Sequence, residues 1–78
     1  MNKYRFFVNK NLIDNTNFYL FFDYYYKIHN ILKLRIGDII FLFNDSMEIK
    51  SILIKYGINY VVVKKLEIFF LKKIILLI

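Results

Sequence analysis

Four basic side chains are the residues of this sequence best suited to chemistry with a ligand. Lys33 and Arg35 stand among hydrophobic residues in the segment LKLRIGD, Lys27 precedes them, and Arg5 lies near the start of the chain. Lys and Arg bind phosphate oxygens, so this set favours a phosphate-bearing partner. Cations near the end of a helix also stabilise the helix dipole. For Lys33 and Arg35 the residues alone leave both interpretations open.

The usual catalytic and metal-binding combinations have little support. The chain has one histidine, His29, and no cysteine, so a thiolate site is excluded and few ligands remain for a metal ion. Ser46 and Ser51 have no histidine at a suitable register for nucleophilic catalysis. Asp38 and Asp45 are better explained as turn residues than as a carboxylate pair. We therefore predict no catalytic residue and no metal site.

Three successive tyrosines, Tyr24 to Tyr26, are candidates for stacking on nucleic-acid bases. Consecutive residues of a helix point about 100° apart, so at most two of the three rings can face one ligand. Packing in the core explains Tyr25 better, and the tyrosines are not assigned to the binding site.

The charge of the chain also favours an anionic partner. It carries 12 basic and 6 acidic residues among 78, a formal net charge of +6. In a small domain this excess favours nucleic acid or an anionic membrane surface. The abundance of Lys, Asn, Ile, Phe and Tyr is typical of AT-rich coding, which weakens the argument from charge alone. The length predicts one small domain, whose apolar core supplies only about 3–5 kcal/mol.

The hydrophobic pattern predicts a mainly β fold with one short helix. Asp23 is a suitable N-cap, and we expect a helix from there to about Lys33. Tyr25, Ile28 and Leu32 form its apolar stripe. Runs of strand-forming residues between turns predict strands at 5–8, 18–22, 39–43, 48–56 and 60–67, with turns at Gly37-Asp38, 44–46 and 57–59. Short strands at this spacing favour a small closed β-barrel, which removes exposed sheet edges.

Neither end of the sequence carries a clear targeting signal. The start, MNKYRFFVNKNL, has no apolar run long enough for a signal peptide. The end, IFFLKKIILLI, is only about half as long as a membrane-spanning helix, which needs ~20 residues. We expect two short buried strands there, at 69–71 and 74–78, joined by a turn at Lys72-Lys73. Lys64-Lys65 is predicted to be a solvated strand end, and the protein to be cytoplasmic.

Three segments carry a resemblance to a known family: RFFV near the start, ILKLRIGDIIFLFNDS after the predicted helix, and VVVKKLE further on. Together they resemble the N-terminal domain of the 16S rRNA (uracil-N3)-methyltransferases, over residues 5–78. Members of this family combine a PUA-like β-barrel that holds rRNA with a C-terminal knotted SPOUT domain, which binds S-adenosylmethionine and carries out catalysis. The resemblance implies a PUA-like β-barrel here, with one edge that contacts RNA through Arg5, Lys27, Lys33 and Arg35.

The sequence departs from the family pattern at three positions. Lys27 stands where the family has histidine, Lys33 where it has arginine, and Asp45 where it has glycine. Lysine keeps the charge of arginine but lacks the fork that binds a phosphate in two places. Without the glycine, the turn at Asn44-Asp45 is expected to adopt its geometry with residues that only tolerate it.

The resemblance also implies which part of the enzyme this chain represents. Residues 1–73 correspond to the RNA-binding barrel, and residues 74–78 to the first strand of the SPOUT domain. The chain is then expected to dock on 16S rRNA or the small ribosomal subunit, with a SPOUT domain that is either supplied in trans or lost. It is not expected to bind S-adenosylmethionine or to be active alone. Family members form homodimers, mainly through the catalytic domain.

One alternative from a different class stays open. The chain is then a small hydrophobic, membrane-associated protein or a non-functional remnant, neither of which has an RNA role.

Overall fold

Five strands and one short helix make up the part of the chain that the computed structural model describes, residues 3–70. The helix has an α-helical turn, α1, followed by a π-helical segment. In chain order the elements are β1 Arg5–Phe7, β2 Asn17–Phe21, α1 Asp23–Tyr26, the π-helical segment Lys27–Ile31, β3 Ile39–Phe43, β4 Met47–Tyr56 and β5 Tyr60–Phe70. The predicted mainly β fold with one short helix is confirmed.

The five strands form one curled sheet, a half-barrel, in the order β1-β3-β4-β5-β2. β1 pairs with β3 in parallel, and the other neighbours are antiparallel. The predicted hairpin is confirmed, since Ile39 pairs with Ile52 and Phe43 with Glu48. β1 and β2 lie at the two edges, and within residues 3–70 no ladder joins them.

The alternation of side chains along β4 determines which face of the sheet is buried. Met47, Ile49, Ser51 and Leu53 are buried and face the concave side. Ser51, the one buried polar residue among residues 3–70, donates its hydroxyl to the carbonyl of Ile40 at 2.6 Å. The register of β4 and β5 shifts after residues 50 and 53, and such bulges bend a strand. These two bulges help to curl the sheet around its core.

The loop between β1 and β2 covers one end of the half-barrel and contributes Leu12 to the core. Lys65 on β5 holds this loop, because its Nζ donates to the carbonyls of Leu12 and Ile13, both at 2.8 Å. The prediction that Lys65 is a solvated strand end is therefore wrong: its ammonium group is an anchor for the loop. Its neighbour Lys64 is exposed, as predicted.

The turn between β3 and β4 is held by the side chain of Asn44. Its Oδ1 accepts hydrogen bonds from the backbone N–H groups of Ser46 (2.8 Å) and Met47 (3.0 Å), and its Nδ2 donates to the carbonyl of Lys10. Neither Asn44 nor Asp45 has a positive φ. The expected strained geometry is therefore wrong, because the amide of Asn44 supplies the hydrogen bonds that the turn needs.

The helix differs from its prediction at both ends. The N-cap is Phe22, with no side-chain capping bond, and Asp23 lies inside the first turn, where its charge suits the helix dipole. After Tyr26 the helix widens, since the N–H of Leu32 donates to the carbonyl of Lys27. The predicted apolar stripe is confirmed. Ile28 is fully buried, and Tyr25 and Leu32 pack against the core.

The predicted C-terminal strands are only partly within the described residues. Phe69 and Phe70 extend β5, but both are exposed, so their predicted burial is wrong. They pair with Glu48 and Met47 at the open end of the β4–β5 ladder, where no layer among residues 3–70 covers them. The remainder of that prediction, residues 71–78, lies outside the described residues. Between residues 3 and 70 there is no helix with the length and apolar character needed to cross a membrane.

Candidate nucleic-acid interface

The helix leads from β2 towards the opposite edge of the sheet and forms a cleft with β1. The Tyr24 hydroxyl donates to the carbonyl of Phe7 at 2.7 Å, and the Tyr24 ring meets Phe6 edge-on, with 6.1 Å between ring centroids. These contacts place two of the predicted RNA-binding residues in one open cleft of about 390 Å³. We call it the basic cleft, and its lining residues are Arg5, Phe6, Phe7, Asp23, Tyr24 and Lys27.

Arg5 is held in place on one side and free on the other. Its Nε donates to Oε2 of Glu48 at 2.8 Å, and its guanidinium lies 4.2 Å from the centre of the Phe43 ring. Within residues 3–70 its two terminal nitrogens make no hydrogen bond. Because a guanidinium binds phosphate best through two parallel N–H groups, this geometry leaves Arg5 able to bind an oxyanion.

Lys27 begins the π-helical segment and is exposed. Asp23 lies four residues before it, a spacing at which helical side chains are neighbours. The described residues contain no ion pair between the two. The lining of the cleft thus contains two cations and one carboxylate, and Glu48, just outside the lining, offsets part of the charge of Arg5.

Lys33 and Arg35 lie at the other end of the helical segment. Lys33 ends the helix in a left-handed conformation, with φ 54°, and the next N–H, of Leu34, donates to the carbonyl of Ile28 at 3.0 Å. Both cations are exposed, on either side of the buried Leu34. Lys27 is the fifth of the nine helical residues 23–31, and Lys33 lies two residues after the last of them. The four predicted residues therefore form two pairs, one at the basic cleft and one beyond the C-terminal end of the helix.

The Gly37-Asp38 turn positions the backbone of Arg35. Gly37 has φ 100°, a conformation that residues with a Cβ rarely adopt, so the predicted need for glycine is confirmed. The Asp38 carboxylate accepts from the N–H of Arg35 at 2.7 Å, and the Asp38 N–H donates back to the Arg35 carbonyl at 2.9 Å. Gly37 N–H donates to the Leu53 carbonyl at 2.8 Å, which fixes this turn to β4.

His29 is explained by aromatic packing. Its ring stacks on Tyr25, with 5.2 Å between centroids and 10° between planes, and meets Tyr56 edge-on at 5.2 Å. Its Nδ1 lies 2.6 Å from Oδ1 of Asn30. Among residues 3–70 no three His, Asp or Glu side chains are grouped so that they could hold a metal ion.

Tyr56 gives this part of the structure a dependence on alkaline pH. Its hydroxyl donates to the Leu34 carbonyl at 2.6 Å. Burial, and then the charges of Tyr25 and Asp38, raise the pKa of Tyr56 above its ordinary value of 10.0. The folded state therefore keeps this proton where the unfolded state loses it.

We predict that the stabilisation due to Tyr56 is fully present below about pH 10 and is lost as the pH rises through the raised pKa. Urea unfolding across that range, for the native chain and Tyr56→Phe, measures the effect. The variant is expected to be about 1 kcal/mol less stable at neutral pH, since it loses one hydrogen bond. Above pH 10 the free energy of unfolding of Tyr56→Phe is expected to fall less steeply than that of the native chain. Equal slopes for the two would contradict the assignment of this pH dependence to Tyr56.

Sequence reasoning missed a group of four aromatic side chains on the convex face of β2 and β5, of which three are exposed and Tyr60 is partly buried. We call it the aromatic patch; its members are Tyr19, Phe21, Phe22 and Tyr60. The signal was present as Tyr19 and Phe21, two residues apart in a strand and so on one face. Only the pairing with β5 adds Tyr60 to them.

Comparison with known proteins supports the fold. No protein-family model and no curated protein matches the sequence. Among solved structures, a ribosomal RNA small subunit methyltransferase E from Neisseria gonorrhoeae bound to S-adenosyl methionine superimposes with a TM-score of 0.76 and 19% identity, covering 86% of this chain. A hypothetical protein does so with a TM-score of 0.72 and 21% identity over 81% of this chain. The chain spans 28% of the length of each of the two.

Proposed function

We propose that this chain is an rRNA-docking domain of the kind found in ribosomal RNA small subunit methyltransferases. The observation that carries the proposal is the basic cleft. There the fold brings Arg5 from β1 and Lys27 from the helix to one surface, although 22 positions of sequence separate them. The similarity of fold to the Neisseria gonorrhoeae enzyme supports it. The partner is 16S rRNA or the small ribosomal subunit in the cytoplasm.

The chemistry of the cleft suits a phosphate backbone. The free terminal nitrogens of Arg5 can bind two oxygens of one phosphate, and the Lys27 ammonium can pair with a neighbouring one. Contacts of this kind position a protein on RNA without reading its sequence. Selection of a uridine for N3 methylation is therefore not assigned to residues 3–70, and neither is dimerisation.

The basic cleft does not fit S-adenosylmethionine. That cofactor carries a sulfonium, an ammonium and a carboxylate group, and so a net positive charge that the cations Arg5 and Lys27 would repel at close range. Of the two glycines of the chain, Gly37 lies in the turn before β3 and Gly57 in the turn between β4 and β5, and neither belongs to a glycine-rich loop. We assign no cofactor to residues 3–70.

Charge reversal tests the proposal. The double variant Arg5→Glu/Lys27→Glu is expected to bind a 16S rRNA fragment about 100-fold more weakly, because two charge-assisted contacts are lost. The slope of log K against log salt should fall by about one per contact. Reversal of Lys33 and Arg35 as well is expected to weaken binding further. The variant with all four charges reversed is expected not to bind the rRNA fragment. Fluorescence anisotropy at several salt concentrations measures all of these.

Two controls make the result specific. Lys50→Glu changes the net charge as much as Lys27→Glu but lies on β4 outside the cleft, so it is expected to have a small effect. Arg5→Lys keeps the charge and loses the fork, and an intermediate loss is expected. Equal losses for Lys50→Glu and Lys27→Glu would show that only the overall charge matters. Absence of rRNA binding by the native chain, with partition into anionic vesicles, would favour the membrane alternative.

A further inference from the structure

We propose that the aromatic patch is a stacking site for unpaired bases of single-stranded RNA. This inference rests on the proposed function and names the form of RNA that the aromatic patch binds. The patch is formed by Tyr19 and Phe21 of β2, by Phe22 directly after it, and by Tyr60 at the start of β5. Tyr19, Phe21 and Phe22 are exposed by 49%, 45% and 74%.

The rings form a continuous aromatic surface. Tyr60 lies between two rings of β2, with centroids 5.7 Å from Tyr19 and 5.6 Å from Phe21. Phe22 extends the row at 6.0 Å from Phe21. The Tyr60 ring also lies against Gly57, where a Cβ would overlap it. The rings thus support one another from the side, while their exposed faces have no covering residue among those described.

The backbone of Phe22 adopts an unfavourable conformation that leaves the ring exposed. Its φ of 51° and ψ of −109° are rare for any residue with a Cβ, above all for a bulky one. Its N–H donates to the Asn59 carbonyl, and its own carbonyl accepts from the N–H of Tyr26. Glycine would satisfy both bonds without strain. A phenylalanine here gains nothing for folding through a buried contact, and strained residues of this kind concentrate at functional sites.

The charges around the patch favour an anionic occupant. Tyr19 pairs with Val62 of β5, which pairs with Lys55 of β4. Cross-strand partners point to the same face, so the exposed Lys55 lies on the patch side of the sheet. Lys64 lies on that face too, because it pairs with Asn17, two residues before Tyr19. Rings that stack on bases, with ammonium groups nearby for the backbone, are the usual features of single-strand binding.

The same features disfavour pairing with a second copy of the chain. A two-fold interface would place the lysines of one patch against those of the other, and like charges oppose such contact. β2 is an edge strand, but Lys10 crosses that edge and donates to the Tyr19 carbonyl at 2.9 Å. Lysine placed on an edge in this way protects it from strand addition.

The patch adjoins the basic cleft through the chain itself. Phe22 ends the patch, and Asp23 and Tyr24, the next two residues, line the cleft. An RNA whose paired region lies in the cleft can therefore place its adjacent unpaired nucleotides on the rings. Phosphates are then bound at the basic cleft and bases at the aromatic patch.

The test compares two RNAs on the full chain. The probes are a fluorescein-labelled oligouridine about 12 nucleotides long and a duplex of equal length. Tyr19→Leu/Phe21→Leu keeps apolar side chains but removes two stacking faces. It is expected to bind the oligouridine about 10-fold more weakly, with an unchanged salt slope, and to bind the duplex with unchanged affinity. Phe70→Leu, an exposed aromatic of β5 outside the patch, is the matched control and should change neither affinity.

Phe22→Gly gives an independent measurement. It relieves the backbone strain and removes the ring, so the melting temperature is expected to rise while affinity for oligouridine falls. If the ring served only folding, Phe22→Gly would lower both the melting temperature and the affinity for oligouridine. Unchanged oligouridine affinity in Tyr19→Leu/Phe21→Leu, while reversal of Arg5 and Lys27 still weakens rRNA binding, overturns this inference alone. A native chain that binds neither RNA overturns the proposed function as well. Self-association that Tyr19→Leu/Phe21→Leu abolishes would assign the patch to a second copy instead.

Discussion

Ile28→Ala is expected to lower the free energy of unfolding by about 2–5 kcal/mol, because it removes a buried side chain and leaves a cavity. A domain of this size has only about 3–5 kcal/mol from its core, so most of the variant should be unfolded at 37 °C. Ile28 is the one buried residue of the helix, with 0% exposure, and it attaches the helix to the sheet. Thermal unfolding followed by circular dichroism measures the loss.

Ile31→Ala is the matched control for Ile28→Ala. It makes the same chemical change three residues later in the same π-helical segment, where the side chain is 58% exposed. A change within about 0.5 kcal/mol is expected. Similar losses in the two variants would show that helix propensity, and not packing on the sheet, decides the stability. Because the helix carries Tyr24 and Lys27, Ile28→Ala should also abolish RNA binding at the basic cleft.

Lys65→Met is expected to destabilise the fold by about 2–3 kcal/mol, since one ammonium group donates to two loop carbonyls. Methionine keeps most of the apolar stem, so the loss reports the hydrogen bonds and not the packing. The carbonyls of Leu12 and Ile13 are left without this donor. For a domain of this length the melting temperature should fall by about 10–20 °C.

Lys64→Met, one position earlier, is the control for Lys65→Met. Its side chain is exposed and makes no hydrogen bond within residues 3–70. It changes the net charge by the same amount, so a purely electrostatic effect of charge loss would appear in both variants. Only Lys65→Met is expected to lower the melting temperature and to increase proteolysis between residues 8 and 16. An equal effect of the two would contradict the anchoring role.

Much of the fold follows from local patterns in the sequence. β3 has the predicted limits. The stripe of Tyr25, Ile28 and Leu32 packs against the core as predicted, because the spacing of hydrophobic residues shows which side of a helix is buried. Gly37 was predictable for a related reason, because only glycine adopts its backbone conformation at little cost. The candidate cations of the binding site were also recognisable by their type and position.

Other features depended on contacts between residues far apart in the sequence. No local pattern shows that Lys65 reaches the loop 53 positions earlier, or that Glu48 holds Arg5 across 43 positions. The turn at Asn44 departs from expectation for the same reason, since its amide also bonds the distant carbonyl of Lys10. Sequence periodicity records burial, and it contains no information on which distant partner a polar group meets.

The sequence by itself determined the class of structure, the apolar faces and the positive charge of this protein. The tertiary structure alone decided that Arg5 and Lys27 share a cleft while Lys33 and Arg35 lie beyond the C-terminal end of the helix. It also decided that Tyr60 joins the rings of β2.

The physical reason is that a pattern of hydrophobic residues specifies which side of a strand or helix turns inward. The neighbours on the outward side are set by strand order and register, which the whole chain settles together.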